Sequence, residues 1–215
     1  MGISKKWISI FIVAIILVAA FNIFLSNVNS FKQDGELAIK GLKNQVIVKR
    51  DEKGMAYIFA DSLHDALFSQ GFVTAQDRYF SMEMIRRISK GQLSEVLGEK
   101  TKSTDIRMRT IGFQRNAQKH AQILEDKERE LFQIYADGIN AFLDNNPAEI
   151  HLKLKLMGVK PDHWTVVDVL TVMYFMGWGS SANLGDEVVA QMLVEKLGFQ
   201  DASEIFPSNI NPHDP

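Results

Sequence analysis

Chemistry in this sequence has few places to start. Ser180 and Ser181 follow Gly177, Trp178 and Gly179, a run flexible enough to bring a hydroxyl to a ligand. An ordinary helix-ending loop has the same composition. Asp186 and Glu187 offer adjacent carboxylates that could join an oxygen-rich calcium site or simply sit at a solvated helix start. The stretch 75–87, AQDRYFSMEMIRR, sets Asp77, Arg78, Glu83, Arg86 and Arg87 among aromatic and methionine side chains. The five histidines (His64, His120, His151, His163 and His213) form no HxH, HxxxH or HExxH pattern, which argues against a histidine zinc site. There is no GxSxG, no SxxK and no P-loop. The absence of cysteine excludes disulfides, thiolate catalysis and cysteine-held metals.

Charge narrows the choice. The chain of 215 residues has a formal net charge of −2, so no global field favours nucleic acid. Residues 71–120 do carry ten Lys and Arg against five Asp and Glu. A phosphate-binding face wants such bases clustered and unpaired. Here Glu83 precedes Arg86 by three and Arg87 by four, the favourable pairing order on a helix. No nucleic-acid partner is expected. Charges inside an apolar helical pattern need partners, because desolvation costs several kcal/mol per ion. Asp77, Arg78, Glu83, Arg86 and Arg87 therefore read as a structural ion-pair framework, not as a catalytic set.

The elements that must position these residues follow from periodicity. Residues 7–25 are apolar except for Ser9 and Asn22, and Lys5 and Lys6 precede them. Nineteen residues approach the roughly 30 Å hydrocarbon core of a bilayer. Residues 1–27 thus read as a signal-anchor or transmembrane segment with the lysines cytoplasmic and the remainder outside. Cleavage after Ala20 would make the protein secreted instead. Residues 28–44 read as a polar linker. Alternating β-branched residues on either side of Asp51 to Gly54 predict a hairpin over about 45–60.

From Asp61 onward the period is helical. A helix capped by Asp61 or Ser62 reaches Lys90, with Gly71 able to divide it. A short helix closes at Gly98, a loop occupies 99–104, and another helix begins near Asp105. A further helix runs from about Asp126 to Leu143. Residues 150–157 alternate in the manner of a strand, although a short helix also fits. Thr165 caps a helix that reaches about Met176, where Gly177 and Gly179 should break it. Asp186 to Leu197 forms the last helix, and the tail has no period.

Several of these stretches together resemble a known family. GFVTAQDRYFSMEMIRRISKGQLSEVLG, residues 71–98, looks like the signature segment of the α-chain of the penicillin acylase family. VIVKRDEKGMAYIFA before it, YADGINAF at 135–142 and PDHWTVVDVL at 161–170 follow in the family's order. One departure is Ala56 and Tyr57, where the family commonly has Pro-His. The resemblance covers about 45–198. It implies a mostly α chain with a short β-hairpin, the α-chain part of an αββα N-terminal-nucleophile hydrolase, with 45–215 an incomplete domain finished by a downstream β-chain. It implies hydrolysis of an amide between an acyl group and an amine, such as a penicillin or an acyl-homoserine lactone. The serine nucleophile, and its own α-amino group as base, would belong to the β-chain. It also implies one calcium ion shared between the chains, with Glu187 as a ligand, and Met176, Trp178 and Ser181 near the acyl pocket. The competing expectation is a non-catalytic, membrane-anchored helical module that binds a partner.

Overall fold

The computed structural model describes residues 5–27, 31–32, 34–145, 152–181 and 184–205. Side chains of the first helix are described over 11–23. The chain divides into two compact units, Met1–Val172 and Met173–Pro215.

The larger unit begins with helix α1, Lys5–Asn27. Among the described residues no helix is long and apolar enough to cross a membrane. Strands β1 (Ile47–Arg50) and β2 (Ala56–Phe59) pair antiparallel, Ile47 opposite Phe59 and Arg50 opposite Ala56. The Asp51 carboxylate accepts the N–H groups of Lys53 and Met55, which closes the turn. Ala56 and Ile58 face the core. Ile47, Tyr57 and Phe59 stand about half-exposed on the other side of the hairpin.

Helix α2, Leu63–Lys90, starts at Ser62, whose hydroxyl accepts the Asp65 N–H, and ends at Gly91 in the left-handed region. It is not divided at Gly71. A Cβ there would lie 2.2 Å from the Tyr135 carbonyl oxygen of helix α6, Asp126–Asn145. Gly138 of α6 meets the Phe68 carbonyl in the same way. Each glycine opens a place for the other helix's backbone, so the two helices cross nearly in contact. Phe68, Phe72, Ala75 and Tyr79 then pack on Ile134, Ile139 and Phe142 as the main core, with the Phe72 and Phe142 rings edge to face at 5.9 Å.

Between them lie α3 (Ser94–Leu97), a 3-10 turn at Glu99–Thr101, α4 (Lys102–Ile111) and α5 (Phe113–Ile123). The loop expected over 99–104 is thus largely helical, and Gly112, at a φ of 86°, separates two helices where one was expected. Ala117, Ala121 and Leu124 form a second cluster with Val166 and Leu170. Residues 152–156 are helix α7, Leu152–Leu156. The strand reading of 150–157 fails because alternation of Leu and Lys over so short a run also suits one helical turn. Only Leu154 is buried there, and residues 150 and 151 lie outside the described residues.

Helix α8, Val166–Ser180, continues through Gly177 and Gly179. An isolated glycine costs a helix about 1 kcal/mol, too little to end one that other residues support. The smaller unit holds α9 (Leu184–Leu197) and α10 (Phe199–Ile205). The tail 206–215 lies outside the described residues.

Candidate functional site

The buried charges come first, because they show what the conspicuous motif does. Glu83 is 1 % exposed and binds two arginines, Arg86 three residues on and Arg87 four residues on at 2.7 Å. Arg87 reaches further to Glu95 at 3.0 Å. Arg86 donates to the Asp162 carbonyl and lies over the Trp164 ring at 5.0 Å. Trp164 is also held by Asn140 of α6, which accepts its N–H at 2.6 Å and donates to its carbonyl at 2.9 Å. The network therefore ties α2, α6 and the entry to α8 together.

Asp77 and Arg78 do not pair with each other. Neighbouring residues on a helix point about 100° apart and cannot face. Asp77 binds Arg50 of β1 at 2.9 Å and so holds the hairpin to α2. Arg78 is exposed, and no ion pair reaches it among the described residues. Its expected place in the buried framework is corrected accordingly.

Three aspartates act as clamps between segments. Asp65 accepts the N–H groups of Lys43 at 2.8 Å and Asn44 at 3.2 Å, plus the Ser62 hydroxyl. The Lys43 N–H holds its carboxyl well below the ordinary range, against the opposing push of burial. Burial pushes Asp105 up, but the hydroxyl and N–H of Ser94 and the N–H of Leu93 outweigh it and leave the group lowered. Burial likewise raises Asp168, and Lys90 at 2.9 Å with Thr165 brings it below the usual value. Among the described residues, the buried Tyr79 hydroxyl and Trp164 indole nitrogen make no hydrogen bond of ordinary geometry. Burial pushes the Tyr79 hydroxyl up, with Arg86 opposing.

The residues expected near a substrate lie at the end of α8. Met176, Trp178 and Ser181 are all exposed. Met176 and Trp178 are two apart on a continuous helix, so they point to nearly opposite sides. The Trp178 ring packs against Phe175, with centroids 6.3 Å apart, and the Ser181 hydroxyl donates to the Gly177 carbonyl at 2.9 Å. That hydroxyl closes the helix end and has no base beside it among the described residues. Asp186 and Glu187 sit exposed in the first turn of α9.

For calcium, the described residues contain no group of three or more His, Asp or Glu able to hold a metal ion. Glu187 brings one carboxylate, short of the six to eight oxygens that the ion requires. The described residues on their own do not fit the ion.

A cavity of about 390 Å³ lies elsewhere, between the 32–48 segment and α2. Nothing in the spacing of the sequence signalled it, nor the Asn140 and Arg50 bonds, because each joins segments more than twenty residues apart.

In the described region the buried charges join elements, while Met176, Trp178 and Ser181 stand exposed at the end of α8 and Glu187 at the start of α9. The penicillin amidase family matches residues 45–212, and the chain belongs to that family. It is 31 % identical over 174 residues to an acyl-homoserine lactone acylase, QuiP, of Pseudomonas fluorescens, covering 81 % of this chain and 22 % of the relative. It is 34 % identical over 143 residues to the penicillin acylase 2 proenzyme of a Pseudomonas species, covering 66 % and 18 %. The chain spans about a fifth of the length of the curated relatives it matches. A solved thermostable penicillin G acylase from Alcaligenes faecalis matches with a TM-score of 0.55 and 28 % identity, over 80 % of this chain and 93 % of that one.

Proposed function

We propose that this chain is the α-chain portion of an amidohydrolase that cleaves the amide between an acyl group and an amine. The substrate is a penicillin, an acyl-homoserine lactone or a similar acylated amine. The carrying observation is a contrast in coverage. The region matches about a fifth of the curated relatives, one of them a proenzyme, but 93 % of a single chain in the solved acylase. A precursor divided into two chains accounts for both figures. It also accounts for a described region in which every buried carboxylate is bound by partners, the hydroxyls of Ser62, Ser94 and Thr165 among them.

In this reading the nucleophile is a serine at the start of the β-chain, with its own α-amino group as the base. Such a group titrates near pH 8 and suits neutral conditions. Glu187 supplies one oxygen to a calcium ion, and the β-chain supplies the others. Met176, Trp178 and Ser181 border the acyl pocket. Helix α1 anchors the protein with its body on the extracytoplasmic side, or is removed if the protein is secreted.

The test compares residues 1–215 with the full precursor, incubated with benzylpenicillin and an acyl-homoserine lactone while released amine is measured. The precursor should release amine and 1–215 alone should not. Release by 1–215 alone contradicts the two-chain reading, and none from the precursor contradicts the amidohydrolase. Glu187→Gln in the precursor should lower bound calcium and slow maturation. Unchanged metal content and processing remove Glu187 from the site.

A further inference from the structure

We propose that the cavity between the 32–48 segment and α2 binds the aliphatic tail of an amphiphile, a fatty-acyl chain with an anionic or polar head. Its volume of about 390 Å³ falls within the range of small-ligand sites, about 300–1,000 Å³. Phe68, Phe72 and Val73 of α2 line one side, and Ile39, Leu42 and Val48 belong to the rest of the lining. A charged group cannot descend among these side chains without losing its hydration. The ligand's buried part is therefore apolar, and its head stays with the ionic residues of the lining, Lys32, Glu36 and Arg50.

Arg50 is committed to Asp77, Gln76 and the Gly54 carbonyl. Lys32 donates to the Glu36 carbonyl at 2.7 Å, and its ammonium group has three protons to give. Lys32 is thus the cation able to meet an anionic head.

The cavity is preformed, which lowers the entropic cost of binding. Asp65 fixes Lys43 and Asn44, and Gln76 donates to the Lys32 carbonyl at 3.4 Å, so the wall is tied to α2 at both ends. Gly41, at a φ of 115°, lets the wall lie directly on Phe68, where a Cβ would come within 2.6 Å of the ring. The position also suits an amphiphile. Lys32 is the fifth residue after Asn27, the end of α1, a reach of at most ~18 Å. With α1 read as a membrane anchor, as proposed above, the cavity opens beside the bilayer surface where such molecules concentrate. None of Met176, Trp178, Ser181 and Glu187 lines it.

The experiment uses the full precursor in phosphatidylcholine vesicles containing a diazirine-bearing dodecanoate. After illumination, labelled peptides are mapped by mass spectrometry. Label is expected in residues 35–48 and 68–76. Competing hexanoate should displace it more weakly than dodecanoate, because each buried methylene multiplies affinity about fourfold. Leu37→Glu, at a lining residue that is 44 % exposed, should reduce that label at least fivefold while labelling of α1 stays constant. Where that variant fails to fold, Val48→Glu on β1, at a lining residue that is 40 % exposed, makes the same test. Label confined to α1, or indifferent to the substitution, overturns the proposal. The first of these results is also the one expected if the rest of the precursor fills the cavity. Amide hydrolysis is read on the same sample. Hydrolysis without cavity label overturns the cavity alone, and cavity label without hydrolysis overturns the amidohydrolase reading alone.

Discussion

Arg78 and Arg86 stand eight residues apart on α2 in opposite circumstances. Arg86 is 4 % exposed and neutralises Glu83, whereas Arg78 points to solvent. Arg86→Ala should cost about 2–3 kcal/mol, because it removes one of the two arginines on the buried Glu83 and the bond to the Asp162 carbonyl. Arg78→Ala should stay within about 0.5 kcal/mol, as exposed substitutions do. Paired urea denaturation curves of the two variants check the contrast. Asp65 gives a pH-dependent expectation. Its carboxyl titrates lower in the folded chain than in the unfolded one, so the stability it adds is complete above the unfolded value of about 3.9. That stability fades as pH falls through the folded value. Asp65→Asn should lower the melting temperature at pH 7, and the gap from the unsubstituted chain should close as the pH is taken well below 4. The Glu83 pairing was legible in the sequence because spacing of three and four is a helix's own geometry. The partner of Asp77 was not, because Arg50 arrives from a strand 27 residues earlier.

The crossing of α2 and α6 shows the same division at the level of elements. Both helices could be read from their apolar period, and so could the hairpin. Their contact could not, since Gly71 looks alike whether it breaks a helix or admits a neighbour. Gly138→Ala places a Cβ about 2.0 Å from the Phe68 carbonyl, an immovable obstacle within a helix. It should destabilise by about 3 kcal/mol, the upper end of overpacking costs, seen as a fall in the thermal midpoint of the folded precursor. Helices α7 and α8 were read less well for a related reason. One turn of alternating Leu and Lys has no decisive period, and glycines at 177 and 179 weaken a helix without ending it.

At the scale of the molecule, the family was legible from ordered motifs, while the candidate site was legible only as residue types. Met176, Trp178, Ser181 and Glu187 lie where a helix end and a helix start expose them, and their chemistry depends on what faces them. The hairpin has a different consequence. Ile47, Tyr57 and Phe59 lie open on a two-stranded sheet whose outer edges meet no further strand among the described residues. Arg50 and Asp77 keep that sheet in place on α2, so it persists in a form ready to pair. Being near the N-terminus, it leaves the ribosome before everything that follows. Covering it from the same polypeptide is a first-order event, while pairing with another molecule's edge is second-order. Dilution and slow synthesis should therefore favour soluble product, and crowded overexpression should favour aggregates nucleated at residues 47–59.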